Sequence, residues 1–350
     1  MRQSNLNDYL RRIRPVDRGP APEVQARLDS QTKPPGSLGR LEELVMEVAC
    51  IQGTSRPSVE RKLLFTMAAD HGVVEEGVSA FPQSVTAQMV QNFLSGGAAV
   101  NVLARHAGCT VVVVDMGVAG ELALPGLVSR KIAPGTANFT RGPAMTREQA
   151  EAAVLAGIEL ALEREFDILG TGEMGIGNTT PSAAVAAVVT GIPVPEITGR
   201  GTGVDDRGLA RKIDAVQRGI RVNRPDPSDP LDVLAKVGGF EIGGIAGLVL
   251  GAAAGRRPVV VDGFISTAGA LLARALCPEV SGYMLFSHRS AEQGHDLLLR
   301  HLGARPILDL GMRLGEGTGA ALAVEVIDAA LALYDGMATF DQAGVDNRSS

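Results

Sequence analysis

Short apolar segments alternate with longer helical patterns along this chain. The short segments are rich in β-branched residues and almost continuous in apolar residues, as expected of strands that are covered on both faces. Buried strands that alternate with helices form a parallel sheet. The pattern therefore predicts an α/β fold in which helices flank a parallel sheet, with strands at residues 63–69, 110–116, 166–170, 258–261, 283–286 and 306–308.

The helical patterns begin at recognisable signals. Thr146 and Gln149 have the spacing of a capping box, and small or apolar residues then recur at helical spacing. The apolar stretch 242–254 contains four glycines and is too short to span a bilayer, so we expect a buried helix. Similar patterns predict helices at residues 38–51, 84–106, 205–222, 263–276, 292–302 and 317–334.

The two ends of the chain differ from its centre. Residues 1–59 contain an amphipathic stretch but no convincing strand, and the last long helical pattern is followed by a polar tail. We expect residues 60–315 to form the α/β catalytic domain. Residues 1–59 and 316–350 are then expected to pack together as a small helical domain beside it.

Composition narrows the class of protein. The net charge is −6 and the basic residues are scattered among acidic ones, which argues against a nucleic-acid surface. Cys50, Cys109 and Cys277 are far apart and lack the spacing of a metal site. The polar N-terminal segment does not have the pattern of a secretory signal. A reducing cytoplasm is therefore expected, without a membrane span.

Glycine-rich segments follow the predicted strands. Residues 172–180 connect a strand to a helix, where glycines allow a phosphate to approach the backbone and the helix start offers free N–H groups. A second cluster, 199–206, precedes a helix that carries Arg211 and Lys212. Neither matches the usual dinucleotide or triphosphate motif. The alternative for the first segment is that its glycines serve tight packing only. The alternative for the second is a solvated loop followed by an ordinary charged helix face.

Two carboxylates are candidates for catalysis. Glu173 and Glu316 are each next to glycine in a segment that follows a predicted strand. Two carboxylates that meet in one crevice can stabilise positive charge and remove a proton. The alternative is that both face solvent.

A metal site is not expected from the residue spacing. His71 and His288 follow strands and are ligands or hydrogen-bonding partners, but they lack the spacing of a metal-binding cluster. Cys109 precedes a buried strand and is expected to be a core residue. The alternative is that Asp70, Asp262 and Asp309 converge at strand ends and hold magnesium.

Taken together, these segments are similar to one family. The similarity extends in order over nearly the whole chain and includes the segments 33–42, 70–73, 77–83, 86–89, 172–180, 201–203, 262–264, 287–290 and 310–319. In these segments the chain resembles the nicotinate-nucleotide:dimethylbenzimidazole phosphoribosyltransferase family, which makes the nucleotide of the lower cobalamin ligand.

The resemblance implies a Rossmann-like parallel sheet, a small helical domain from both chain ends, and a homodimer whose neighbouring subunit helps to close each site. It implies that Glu316 is catalytic, and the implied chemistry gives Glu173 the role of stabilising the positive charge that develops on the ribose. It implies a benzimidazole pocket at Ser79, Ala80, Phe81, Pro82, Gln83, Gln88 and Leu314. It also implies phosphate and nicotinate contacts at Gly175, Gly177, Asn178, Thr179, Gly201, Thr202, Gly203, Lys212, Ser290 and Arg313, with Glu173 beside them.

The implied chemistry agrees with these residues. The substrates are nicotinate mononucleotide and a benzimidazole, and no cofactor is expected. The leaving pyridinium is already cationic, so no metal is needed to stabilise a pyrophosphate. Glu316 is expected to remove a proton from the attacking base. A nucleotide-sensing module and an N-glycosidic hydrolase remain the alternatives, and the base that is used in the cell stays open.

Overall fold

The structure is a computed structural model that describes residues 5–347, so residues 1–4 and 348–350 of the predicted helical domain lie outside it. Within the described residues, the sheet has six strands in the order β3-β2-β1-β4-β5-β6, and every neighbouring pair is parallel. The strands are β1 (Lys62–Ala69), β2 (Cys109–Gly117), β3 (Val128–Ser129), β4 (Ile168–Met174), β5 (Val259–Val261) and β6 (Met284–Phe286).

The helices lie between the strands and at both chain ends. They are α1 (Leu6–Leu10), α2 (Ala21–Ser30), α3 (Arg40–Gln52), α4 (Ser84–Leu94), α5 (Ala99–His106), α6 (Arg147–Leu162), α7 (Thr179–Thr190), α8 (Val194–Ile197), α9 (Asp206–Asn223), α10 (Pro230–Val237), α11 (Phe240–Ala254), α12 (Phe264–Leu276), α13 (His295–Leu302), α14 (Thr318–Gly336) and α15 (Phe340–Ala343). Short 3₁₀ turns lie at Gly72–Glu76 and Pro278–Tyr283.

The sequence predicted five of the six strands. The prediction of a strand at 306–308 was wrong, because Leu308 makes only an isolated bridge with His288, and the segment begins with Pro306, which has no N–H to donate. The sixth strand is instead β3, which has only two residues. Strand β4 continues past its predicted end at residue 170 as far as Met174. Glu173 therefore lies within β4, and its prediction as a loop residue was wrong.

The helix predictions need one correction. The capping box of α6 is present, since the Gln149 N–H donates to Thr146 Oγ1 over 3.2 Å. The single helix predicted at 84–106 is in fact two helices, α4 and α5. Gly96 separates them with φ = +77°, a backbone conformation that does not continue a right-handed helix.

Helices cover both faces of the sheet. Helices α6, α7, α11 and α12 belong to the hydrophobic core on one face, and α3, α4, α5 and α14 belong to that on the other. Helix α11 is the predicted buried helix, and its Gly247 allows close contact with α6, since a Cβ there would clash with the Val154 carbonyl. Within residues 5–347, no helix is long and apolar enough to cross a membrane.

The chain ends contact each other. The Gln31 side-chain amide donates to the Tyr334 carbonyl over 3.0 Å, and Gln31 bridges to Thr339. Leu44 of α3, Leu331 of α14 and Leu64 of β1 belong to one hydrophobic core, so the ends also cover the sheet. Their division from residues 60–315 as a separate domain stays a prediction.

The order of the strands places a crevice between β1 and β4. The chain proceeds from β1 towards β3 on one side, then crosses to β4 and proceeds towards β6 on the other side. Ligands of open parallel sheets bind beyond the carboxyl ends of strands at such a reversal. The segments after Ala69 and Met174 border this position.

Candidate active site

A cavity of about 650 Å³ opens at this crevice. Its size suits a ligand of nucleotide dimensions. The structure brings eleven of the predicted site residues into its wall, and they are Phe81, Glu173, Gly175, Asn178, Thr179, Gly201, Thr202, Ser290, Arg313, Leu314 and Glu316.

Glu316 lies in a backbone turn of unusual conformation. Gly315, Glu316 and Gly317 all have positive φ, at 83°, 64° and 95°. Side chains rarely adopt this region, and such conformations cluster at functional sites. Gly172 of β4 makes room for the turn, because a Cβ there would clash with the Glu316 carbonyl. The tertiary structure thus holds Glu316 in a conformation that local preference disfavours.

The Glu316 carboxyl is buried at the cavity wall. Its Oε2 atom has no hydrogen-bond partner among the described residues. Burial, with a further contribution from the charge of Asp262, raises the pKa of Glu316 to about 7. A carboxyl with this pKa and a free oxygen is suited to accept a proton near neutral pH.

Glu173 lies beside Glu316 at the end of β4. Its Oε1 accepts a hydrogen bond from the Glu316 backbone N–H over 3.4 Å, and its Oε2 accepts a short one from the Asn178 side chain. Burial raises the pKa of Glu173 to about 8, and the Asn178 hydrogen bond opposes that rise. The charges of Asp262 and Glu241 raise it further. The two candidate carboxyls therefore meet in one crevice, as the sequence predicted.

Lys212 lies behind the glycine-rich turn. Its Nζ donates to Thr179 Oγ1 over 2.7 Å, at the start of α7, but the side chain is buried and does not itself line the cavity. Burial lowers the pKa of Lys212 to about 8, and the Glu292 charge opposes this. No carboxylate of residues 5–347 lies within 4.0 Å of Nζ. A buried cation without a salt bridge favours an anionic ligand.

The second glycine cluster covers Lys212. A Cβ on Gly201 would lie 2.8 Å from the Lys212 Nζ. The Gly201 N–H donates to Glu292 Oε1 over 2.9 Å, and its carbonyl accepts from Arg313 over 3.1 Å. Thr202 Oγ1 accepts from the Ala80 N–H over 3.0 Å. This loop therefore joins Glu292 and Arg313 to the segment that follows β1.

Another part of the cavity wall is apolar. Phe81 is 53% exposed and Leu314 is 57% exposed, and both line the opening. The wall also contains Val85 and Met89 of α4 and Phe264 and Ile265 at the start of α12. An apolar surface of this kind suits a flat aromatic ring.

Some predicted site residues lie outside the wall. Gln88 is on the exposed side of α4, and Gln83 is half-buried before that helix. The hydroxyl oxygens of Ser79 and Thr202 are 3.3 Å apart. Gly177 and Gly203 also do not line the cavity. The binding roles of all the predicted site residues, inside the wall or outside it, stay predictions.

Nine residues of the wall were not among the predicted site residues, and they are Val85, Met89, Met174, Ile176, Gly263, Phe264, Ile265, Glu292 and Gly315. Val85, Met89 and Ile265 have the apolar character of ordinary helix residues, and Glu292 has that of an acidic residue near a helix start. Glu292 could have been suspected from the sequence, because it lies two residues after the 287–290 segment. Its contact with Gly201 depends on tertiary structure alone.

The histidines are hydrogen-bonding or ion-pair partners. His71 Nε2 lies 2.8 Å from Glu241 Oε1 in the core, and His288 Nδ1 lies 2.9 Å from Ser287 Oγ. Cys109 is the first residue of β2 and is half-buried. In residues 5–347, no group of three or more His, Cys, Asp or Glu side chains is arranged to hold a metal ion.

Comparison with known proteins defines the class first. The sequence profile described as "Phosphoribosyltransferase" matches residues 13–345. Because the match covers almost the whole chain, the chain belongs to this phosphoribosyltransferase family.

The individual relatives are more specific. The chain is 58% identical over 345 residues to the nicotinate-nucleotide–dimethylbenzimidazole phosphoribosyltransferase of Geobacter metallireducens, covering 97% of this chain and 98% of that protein. It is 56% identical over 349 residues to the protein of that name from Roseiflexus, covering 99% of each. A crystal structure of the Thermus thermophilus enzyme of that name superimposes with a TM-score of 0.89 at 47% identity, covering 95% of this chain and 100% of that one.

Proposed function

We propose that the protein transfers the phosphoribosyl group of nicotinate mononucleotide to 5,6-dimethylbenzimidazole, giving α-ribazole 5′-phosphate and nicotinate for cobalamin synthesis. The observation that carries the proposal is a buried glutamate, Glu316, with a free carboxyl oxygen in a cavity whose wall has an apolar part and contains Arg313, with Lys212 behind Thr179. The named relatives support the substrates.

The phosphate of the nucleotide binds at the glycine-rich turn. Backbone N–H groups at the start of α7 point towards an anion there, and Lys212 adds its charge from behind Thr179. A bound phosphate replaces the missing ion-pair partner and raises the pKa of Lys212 from about 8. Ser290 and Arg313 complete this side of the cavity.

The ribose lies between the phosphate and the two glutamates. Glu173 has a pKa of about 8 in the empty site, so the carboxyl is mainly protonated at neutral pH. The pyridinium of nicotinate mononucleotide favours its ionised form, since an opposite charge stabilises a carboxylate. Glu173 then stabilises the positive charge that develops on the ribose as nicotinate leaves.

The benzimidazole ring lies against Phe81 and Leu314. One ring nitrogen attacks the anomeric carbon on the face opposite nicotinate while the bond to nicotinate breaks, which converts the β linkage to an α linkage. Glu316 removes the proton from the other ring nitrogen, so the product leaves without a positive ring. The proton passes to the carboxyl oxygen that has no partner in the free protein.

Product analysis tests this function. The protein is incubated with nicotinate mononucleotide and a panel of bases, and the products are identified by mass and anomeric configuration. The expected product is the α-nucleotide, formed most efficiently from 5,6-dimethylbenzimidazole. Free ribose 5-phosphate would instead indicate a hydrolase, and binding without release of nicotinate would indicate a sensor.

We further propose a cytoplasmic homodimer whose neighbouring subunit covers the opening of the cavity. The exposed Phe81 and Leu314, with Leu310 nearby in sequence, leave apolar surface at this opening. Three free thiols are compatible with a reducing compartment. Light scattering after size exclusion tests the assembly, and a monomeric mass at assay concentration would refute it.

A further inference from the structure

Helix α14 begins without a side-chain cap of its own. Its N-cap residue is Gly317, which has φ = +95° and no side chain to accept hydrogen bonds. Asp262, which follows β5 and lies 55 residues from Gly317 in sequence, caps the helix instead. Its Oδ2 accepts from the Gly317 N–H over 3.1 Å, and its Oδ1 accepts from the Ala320 N–H over 2.9 Å.

The residue before this cap is Glu316. The Glu316 backbone is also held by its neighbours, because its N–H donates to Glu173 and its carbonyl accepts from Thr66 Oγ1 over 3.2 Å. The Asp262 hydrogen bond to Gly317 fixes the next peptide. Together these contacts maintain the left-handed conformation of Glu316, which few non-glycine residues adopt.

Asp262 is itself fixed by residues of β4 and of the segment after β6. Its N–H donates to Thr171 Oγ1 over 3.1 Å, and its carbonyl accepts from Ser287 Oγ over 2.9 Å. His288 Nδ1 lies 3.9 Å from its Oδ1. Gly319 leaves the necessary space, since a Cβ there would clash with His288. Asp262 is fully buried and does not line the cavity, so it does not contact the substrate directly.

We propose that Asp262 is a positioning residue for Glu316: its carboxylate caps α14, and its negative charge opposes the ionisation of Glu316. The proposal rests on the proposed function, because Glu316 acts as a base only there. The other charged groups near Glu316 are Glu173 on β4 and Arg313 on the same loop, with His288 behind Asp262.

The electrostatics agree with this geometry. After burial, the charge of Asp262 is the second contribution that raises the pKa of Glu316 to about 7. Burial also raises the pKa of Asp262 itself, while His288 and the backbone N–H groups at the start of α14 oppose that rise. These contacts favour the charged form of Asp262, which the cap uses.

Two substitutions separate the cap from the charge. Asp262→Asn removes the charge and one acceptor, so we expect kcat to fall by about 10- to 100-fold. The KM for nicotinate mononucleotide should change by less than about twofold. The acid limb of the pH profile of kcat should move below pH 7. Asp262→Glu keeps the charge but displaces the cap, so kcat falls and the limb stays near pH 7.

A matched control and a second readout complete the test. Asp115→Asn replaces a buried aspartate at the end of β2, which accepts from the Val118 N–H over 2.9 Å, and should leave the acid limb unchanged. The protonation of Glu316 is also followed without substrate, as the infrared carboxyl band that Glu316→Gln removes. Its midpoint should fall in Asp262→Asn and remain near the wild-type value in Asp262→Glu.

The outcomes distinguish this inference from the proposed function. If the wild-type protein forms no α-nucleotide, the function fails, while the infrared midpoint still tests the effect of Asp262 on Glu316. If the wild type is active and a folded Asp262→Asn keeps both the wild-type kcat and midpoint, the inference fails. If Asp262→Asn does not fold, Asp262→Glu decides: wild-type kcat refutes the positioning role, and a midpoint shifted away from about 7 refutes the charge effect.

Discussion

The two sides of the cavity are built differently. On the polar side, the buried Glu173 side chain is hydrogen-bonded to Asn178, and the buried Lys212 behind the wall is hydrogen-bonded to Thr179. Glu316 is also buried, and its backbone N–H and carbonyl are held by Glu173 and Thr66. On the apolar side, Phe81 and Leu314 are more than half exposed and do not have such anchors. Buried titratable groups have shifted pKa values and well-defined positions, which transition-state stabilisation requires. The exposed side provides contact area, which affects how well a base binds.

This difference predicts separate kinetic effects. Substitutions on the polar side should mainly change kcat or nucleotide binding, and substitutions on the apolar side should mainly change the KM for benzimidazole. The following predictions test that division, from the largest expected effect to the smallest.

Glu316→Gln should lower kcat by about 100- to 10,000-fold while both substrates still bind, because it keeps the shape and removes the base. Steady-state kinetics and equilibrium binding measure the two effects. Glu325→Gln, which changes another glutamate of α14 that is remote from the cavity wall, is the matched control. A kcat near the wild-type value in Glu316→Gln would mean that another group removes the proton.

The pH dependence should have an acid limb set by Glu316. The base is active when deprotonated, the pKa of Glu316 is raised to about 7, and the pyridinium of the bound nucleotide keeps Glu173 ionised, so kcat should fall about tenfold for each pH unit below that value. Initial rates across the pH range measure it. A profile that is flat down to pH 5 would contradict a buried carboxylate base.

Lys212→Met should raise the KM for nicotinate mononucleotide by roughly 10- to 100-fold, because a charge-assisted hydrogen bond contributes about 1.5–3 kcal/mol. Calorimetric titration with the nucleotide gives the same comparison directly. Arg211→Met is the matched control, since Arg211 is the neighbouring exposed cation on α9 and donates to the Gly77 carbonyl. Equal losses in both variants would indicate a general charge effect.

Phe81→Ala should raise the KM for benzimidazole by an amount that corresponds to roughly 1–3 kcal/mol of lost apolar contact, with a smaller change in kcat. Val102→Ala, at an equally exposed position on α5, should have no such effect. A change in the nucleotide KM instead would place the base on the other side of the cavity.

Exhaustive treatment with EDTA should leave kcat unchanged. Two aspartates of the magnesium alternative have other roles in the structure: Asp262 caps α14, and Asp70 accepts from the Ala119 N–H over 2.8 Å. The leaving nicotinate also does not require a cation on a pyrophosphate. Loss of activity with chelator and recovery with magnesium would contradict this prediction.

The main strands could be predicted because buried parallel strands are almost continuously apolar. This pattern identified β1, β2, β5 and β6 to within about one residue. It did not identify β3, which has only two residues, or the end of β4, where Gly172 and Glu173 interrupt the apolar pattern. Only the folded structure explains why residue 172 is glycine: a Cβ there would clash with the Glu316 carbonyl.

The sequence by itself determined the class of fold, the main buried strands and the strand-end segments that carry the candidate chemistry, because hydrophobic periodicity and glycine positions are local properties. Tertiary structure decided which of those segments share a cavity and how their charges interact. Asp262 caps a helix 55 residues away, Glu292 supports Gly201, and burial raises the pKa of Glu173 to about 8. Each depends on distances and solvent exclusion that exist only after the chain has folded.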